Sequence, residues 1–192
     1  MLEPLTAKRV RLVGLDVDGV LTDAGVYVGI VNGQPAELKR FDIQDGIGIH
    51  LMRIAGLKVV LVSGRLSEAT RLYAEEWGVD DLAQDDRGRK LSAFERLLSK
   101  FGVRIEDAAF MGDDLPDVPV LRRVGLPVAV ANATPDVMGI VQHVTAAAGG
   151  HGAVREFVEE LLRARGQWES VLQTYFEQRG DRSPGIGRAI TR

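Results

Sequence analysis

Four short runs of the chain gather acids, hydroxyls and cations where an apolar run gives way to a turn. The first is Asp16-Val17-Asp18-Gly19-Val20, two carboxylates two residues apart ahead of a glycine that permits a turn. Both could project into one crevice; alone, such a pair is more often an acidic turn with solvated carboxylates. The second, Ser63-Gly64-Arg65, offers a hydroxyl and a guanidinium beside a flexible glycine. The third is Lys90, at the start of a helical pattern, where an exposed lysine is the ordinary outcome. The fourth, Gly112-Asp113-Asp114-Leu115-Pro116-Asp117, is a second acidic cluster that could merely cap a helix. Carboxylates serve as nucleophiles, as acid-base groups and as ligands for hard cations. The chain has no cysteine, which removes disulfides, thiolate metal sites and a cysteine nucleophile, so any metal must be held by oxygen or imidazole.

The elements that must position these groups follow from apolar patterning. Residues 10–15, 58–62, 108–111 and 127–131 are short, apolar runs, each ending at small or acidic residues, as buried parallel strands do. Helical patterns cover residues 46–55, 67–77, 90–101, 115–123, 153–165 and 168–176, with Ser67 placed to cap and with Gly78 and Gly102 where helices should stop. Strand alternates with helix, so the expected architecture is an α/β doubly wound parallel sheet. Residues 26–41, with Asn32-Gly33 at their centre, read as a β-hairpin inserted after the first strand. In open parallel sheets ligands bind at the carboxyl ends of the strands, and the four motifs fall at predicted strand ends or helix starts.

Length and charge narrow the field. At 192 residues the chain suits one domain, with a core over residues 1–177 and an Arg-rich, aperiodic tail over residues 178–192. Lys and Arg number 24 against 27 Asp and Glu, a net charge of -3, without the basic excess of a nucleic-acid binder. The opening residues lack the apolar core of a signal peptide, and no apolar run approaches the roughly 20 residues that span a bilayer. The expectation is a cytoplasmic protein with no nucleic-acid or membrane partner.

In order and context, Asp-x-Asp-Gly, Ser-Gly-Arg, Lys and Gly-Asp-Asp-x-x-Asp resemble the haloacid dehalogenase superfamily of phosphotransferases. Attack of a carboxylate on phosphorus requires the phosphate's charge to be offset, which hard oxygen ligands with Mg²⁺ do well. The resemblance implies Asp16 as nucleophile, Asp18 as acid and then base, Ser63 as a donor to the phosphoryl oxygens and Lys90 as a cation between phosphate and nucleophile. It implies Mg²⁺ held by Asp16, Asp113 and the Asp18 region through its backbone carbonyl, with Asp114 and Asp117 in support. An acid at position 18, where superfamily ATPases carry Thr, favours hydrolysis. A phospho-accepting signalling module also uses Asp, Ser or Thr and Lys, but there the phosphorylated Asp follows a middle strand.

Residues 10–165 further resemble the 3-deoxy-D-manno-octulosonate 8-phosphate phosphatases and their relatives acting on nine-carbon ulosonate phosphates. The particular marks are residues 16–25, Phe41-Asp42-Ile43-Gln44-Asp45-Gly46, the Asp113 cluster and Ala148-Gly149-Gly150-His151-Gly152-Ala153-Val154-Arg155-Glu156. The resemblance implies a small phosphorylated sugar acid as substrate, bordered by Asp42, Ile43, Gln44, Asp45, Gly46, Gly64 and Arg65. The octulosonate enzymes usually carry Arg where this chain has His50, Tyr73 and His151. Neither Tyr nor neutral His reproduces the guanidinium fork on a carboxylate, so the sugar acid is bound differently or the substrate differs, a nonulosonate 9-phosphate or another small sugar phosphate being the alternative.

The spacing of Asp16, Ser63, Lys90 and Asp113 leaves room for a hairpin at most, so no cap domain is expected. Caps exclude water and recognise the leaving group. In the resembling family the hairpins of neighbouring subunits cover each other's sites, which implies a homotetramer with shared active sites here, with the Arg-rich tail as a further source of cations.

Overall fold

The computed structural model describes residues 2–181. Six parallel strands form one sheet: β1 (Leu12–Leu15), β4 (Lys58–Ser63), β5 (Asp81–Gln84), β6 (Ala108–Gly112), β7 (Leu126–Ala129) and β8 (His143–Val144), in the order β5-β4-β1-β6-β7-β8. Chain order reverses about the central β1, so the crevice at its carboxyl end lies between β4 and β6, where this class of sheet binds ligands. Register fixes what meets there: Leu15 pairs with Leu61 and Met111, so the chain leaves β1 at Asp16 level with Val62 and Gly112, one residue short of Ser63. The Asp16 N–H still donates to the Met111 carbonyl at 3.0 Å.

Strand alternation divides the core into two layers. Val13, Leu15, Leu61 and Met111 face α2 (Ile43–Ile54), α7 (Ala153–Ala164) and α8 (Trp168–Glu177), while Leu12, Val60, Val62 and Phe110 face α4 (Lys90–Phe101) and α5 (Val118–Leu121). Both faces of β1 are therefore covered, which is why it reads as a continuous apolar run. At about 1.5–3 kcal/mol per large apolar side chain buried, residues such as Phe94, Phe110 and Phe157 make this the rigid part of the molecule.

The Asn32-Gly33 turn joins β2 (Tyr27–Val31) to β3 (Gln34–Leu38) as an antiparallel ribbon outside the main sheet. Lys39 to Phe41 leave the ribbon, and Phe41 bridges to Thr22. α3 (Glu68–Trp77) begins at Ser67, whose hydroxyl accepts from the Thr70 N–H, and ends at Gly78. Short elements escaped the sequence reading, among them α1 (Pro4–Arg9), β5 and β8, where a few half-polar residues give no period to detect. The pattern at 115–123 is a 3₁₀ turn over Leu115–Asp117 followed by the four-residue α5, and α6 (Pro135–Met138) is as short. Of the predicted tail, Gln178 to Asp181 are described and follow α8, while residues 182–192 lie outside the described residues.

Candidate active site

Asp16, Asp18, Lys90, Asp113, Asp114 and Asp117 converge with Gly64, Arg65, Gly88 and Pro116 on a cavity of about 310 Å³ at the carboxyl end of β1. Asp16 is buried at its floor. Lys90, the first residue of α4, places its ammonium 2.6 Å from Asp16 Oδ1 and 2.8 Å from Asp117 Oδ1. Asp117 Oδ2 accepts from the Asp113 N–H at 3.1 Å and the Asp114 N–H at 3.4 Å, tying the turn after β6 together. Gly19, at φ +102, lies against Asp113: a Cβ there would sit 2.0 Å from Asp113 Oδ2. The glycine of the first motif is thus required by the acid of the fourth.

Three buried or half-buried carboxylates share one ammonium. Burial pushes the Asp16 carboxyl well up, Asp117 adds to the push, and Lys90 opposes it. Burial also raises Asp113, to about 6, with Asp117 the next contribution. Burial works against the charge on Lys90, but Asp16 and Asp117 outweigh it and hold the ammonium protonated. The site is short of positive charge.

That shortage suits a divalent cation. Among the described residues, Asp16, Asp113 and Asp117 form one group whose carboxylate oxygens all lie within 4.8 Å of one another. Asp113 Oδ1 is buried with no hydrogen-bond partner, as an oxygen reserved for a ligand would be. Asp117 has both oxygens committed to Lys90 and to main-chain N–H groups, so its role is to hold Lys90 and the turn. Oxygen donors of this kind fit magnesium.

Asp18 reaches the same cavity, but its carboxylate is held from the hairpin side. The ammonium of Lys39, whose side chain is fully buried, lies 2.8 Å from Asp18 Oδ1 and 3.0 Å from Oδ2. Lys39 was not a candidate in the sequence, where it looks like one polar residue among several after a strand. Glu37 was missed too: it accepts from Ser67 Oγ and from Arg65, both at 2.7 Å. Burial disfavours its charge, yet Ser67, Lys39 and Arg65 hold it below the usual carboxylate range.

Several expected site residues do other work. The Ser63 hydroxyl donates to the Arg65 carbonyl and accepts the Arg65 N–H, both at 3.1 Å, closing its own loop instead of facing the cavity. Arg65 does line the cavity, paired to Glu37. Asp42 caps α2 by accepting the Gln44 N–H at 2.8 Å, Ile43 is exposed, and neither they nor Gln44 line the carboxylate cavity. Asp45 is fully buried and accepts the Arg155 N–H at 2.9 Å, pinning the start of α7 to α2. Gly46 packs under Trp77, where a Cβ would lie 2.1 Å from the ring. These two marks of the Asp42 to Gly46 run are packing requirements.

The three positions where Arg was expected are also apart from the cavity. His50 Nε2 is 3.2 Å from Gln178 Oε1, with its ring edge-on to Tyr175 of α8. Tyr73 is buried and stacks on Phe41 at 4.1 Å, lining a separate groove of about 320 Å³ with Lys39, Asp42 and Ile43. His151 is exposed, its Nδ1 2.8 Å from the Gly149 carbonyl oxygen. The loop around it is a buttress: the Gly150 N–H donates to Val20 O at 2.9 Å, and the Gly149 N–H to Asn132 Oδ1 at 2.8 Å. The glycine-rich mark therefore supports the loop after Asp16 from behind.

Comparison with known proteins agrees with this geometry. Residues 85–157 match a family model described as haloacid dehalogenase-like hydrolase. The 3-deoxy-D-manno-octulosonate 8-phosphate phosphatase of Escherichia coli is 42% identical over 161 residues, covering 84% of each chain. A structure of a haloacid dehalogenase superfamily (subfamily III A) hydrolase from Legionella pneumophila superposes with a TM-score of 0.84 at 35% identity, covering 91% of this chain and 94% of that one. The 3-deoxy-D-manno-octulosonate 8-phosphate phosphatase of Moraxella catarrhalis, solved with magnesium ion, phosphate ion and KDO, superposes with a TM-score of 0.82 at 32% identity, over 90% and 97% of the two chains.

Proposed function

The chain belongs to the haloacid dehalogenase-like hydrolases, among their phosphatases, and on that footing we propose that it hydrolyses the phosphomonoester of a small sugar acid, with 3-deoxy-D-manno-octulosonate 8-phosphate as the leading substrate. The observation that carries this reading is the buried Asp16 carboxylate 2.6 Å from Lys90 at the floor of a cavity rimmed by Asp18 and Asp113. Asp16 attacks phosphorus and becomes an aspartyl-phosphate, while Asp18 gives its proton to the departing ester oxygen. Asp18 then takes a proton from water, which attacks phosphorus and returns Asp16 as a carboxylate. Lys90 offsets the charge gathered between Asp16 and the phosphate. Magnesium held by Asp16, Asp113 and the Asp18 main-chain carbonyl, with Asp114 and Asp117 behind them, would neutralise phosphoryl oxygens and so permit attack by an anion.

The absent guanidiniums at His50, Tyr73 and His151 favour a second reading of the substrate, a nonulosonate 9-phosphate or another small sugar phosphate. The signalling-module alternative has no support once the chain is placed among these hydrolases. The reading also includes a homotetramer whose hairpins cover neighbouring sites, supported by the exposed apolar ribbon, and a cytoplasmic location. No described helix is long and apolar enough to cross a membrane. Phosphate release from a panel of octulosonate, nonulosonate and hexose phosphates with Mg²⁺ tests the assignment; a folded chain that releases none would defeat it, and the ranking of kcat/KM chooses the substrate.

A further inference from the structure

Lys39 carries a consequence beyond the four motifs. Burying an ammonium is costly unless opposite charge and hydrogen bonds surround it. Here the Lys39 side chain is fully buried, both Asp18 oxygens lie within 3.0 Å, Glu37 Oε1 stands at 3.6 Å and Thr70 Oγ1 at 3.4 Å. These three side chains take up the ammonium, and Asp18 is the one of them that lines the carboxylate cavity.

The backbone that delivers Lys39 is fixed on both sides. Arg40 donates to the Gly150 carbonyl at 2.6 Å, Phe41 bridges to Thr22 and stacks on Tyr73, and Glu37 is held by Ser67 and Arg65. The base of the hairpin is thereby clamped between the loop after β1, the Gly149-Gly150 buttress and the start of α3. The clamp delivers a cation whose shortest contacts are to Asp18, with Glu37 and Thr70 behind it.

We propose that Lys39 is a positioning residue for proton transfer: it holds the Asp18 carboxyl where it can serve the ester oxygen, and through it the seating of the hairpin governs the protonation of the leaving group. This rests on the phosphatase reading above. The step itself is the one already written, in which the P–O ester bond breaks as the Asp18 proton passes to the departing oxygen. Lys39 exchanges no proton.

A leaving group that departs readily as an anion does not need that proton, which separates positioning of Asp18 from general support of the fold. Lys39→Met, Asp18→Asn and the double variant of the full chain are assayed with Mg²⁺ on p-nitrophenyl phosphate and on the sugar phosphate that the panel shows to be best hydrolysed. For Lys39→Met the ratio of sugar-phosphate kcat to p-nitrophenyl phosphate kcat is expected to fall ~100-fold, within the range general acid catalysis supplies, with KM for the sugar phosphate changed less than about threefold. In the Asp18→Asn background the same substitution should add no further loss in that ratio. Equal losses on the two substrates, or a ratio that falls again without the Asp18 carboxyl, would overturn the proposal. Lys39→Gln keeps a donor and covers the case in which the Met variant does not fold; its ratio must fall in the same direction. A wild-type chain silent on both substrates would instead remove the phosphatase reading.

Discussion

The crevice at the end of β1 and the ribbon of β2 and β3 are neighbours built on opposite terms. In the crevice, buried charge is held within the same chain, Lys90 on Asp16 and Asp117, Asp117 on the Asp113 turn and Lys39 on Asp18, with one Asp113 oxygen left over. The ribbon buries almost nothing of its own, with Val28 79% and Ile30 78% exposed, and Tyr27, Val31 and Leu38 also on the surface. A two-stranded ribbon is marginal alone, and apolar side chains stand exposed on both of its faces. Bond-breaking groups are thus assembled by one chain's core, whereas the ribbon beside them presents an apolar surface that its own chain does not cover.

Removing the proposed nucleophile is the most severe way to test that division. Asp16→Asn should lower kcat on the order of 10⁴-fold or more, as loss of a covalent catalytic group does. Its melting temperature should not fall, because burial and Asp117 already disfavour the Asp16 charge. Retained phosphate release would displace Asp16 from its role. The ribbon should behave in the opposite way. Val28→Ser with Ile30→Ser should leave the melting temperature of the isolated chain nearly unchanged, each exposed substitution contributing about 0.5 kcal/mol or less, while reducing association and raising KM about tenfold. Sedimentation that finds an active monomer with unaltered KM would break the comparison.

The next effect concerns pH and lies between the two regions, at the α2 to α7 junction. Burial raises Asp45 to about 6 from an ordinary value of 3.8, its bond from Arg155 opposing the rise. A raised acid binds its proton more tightly when folded, so this contribution to stability is full below about pH 4 and is lost as pH rises through 6. At 1.36 kcal/mol per pH unit the loss is on the order of 3 kcal/mol. Denaturant unfolding at pH 4 and pH 7 should show that Asp45→Asn shrinks the difference between the two pH values by an amount of this size. Asp16 and Asp113 titrate in the same direction in both proteins, so the comparison isolates Asp45. An unchanged difference would mean that Asp45 is solvated in solution.

What could be read from the sequence follows the same line. The main strands and longer helices were legible because each buries an apolar face over several residues, and Lys90–Phe101 matches its predicted span. The convergence of Asp16, Lys90 and the Asp113 cluster was legible because spacing along the chain becomes position at strand ends in a parallel sheet. Lys39 and Glu37 were not, because their meaning depends on where an inserted ribbon folds back, and no local period records that. Asp45 and Gly46 were legible as distinctive, and what the sequence did not record is their packing, Asp45 on the Arg155 N–H and Gly46 under Trp77. The Ser63 hydroxyl, expected from the sequence to serve the phosphate, closes its own turn here.

Tyr73 gives the smallest effect and the finest distinction between core and recognition surface. Its ring stacks on Phe41 and leans on Trp77, and its hydroxyl is buried with no hydrogen-bond partner. A buried hydroxyl left unpaired costs about 1–3 kcal/mol, so Tyr73→Phe, which keeps the ring and removes the oxygen, should stabilise the chain by about 1 kcal/mol. If Tyr73 is core, KM for the sugar phosphate should change less than about threefold, since the groove it lines is separate from the carboxylate cavity. If instead the hydroxyl receives a substrate oxygen when neighbouring chains close the site, the stabilisation will be accompanied by a KM raised about tenfold or more. Melting curves and KM measured on the same preparation separate the two, and the second result would move this face of α3 from the scaffold to the recognition surface.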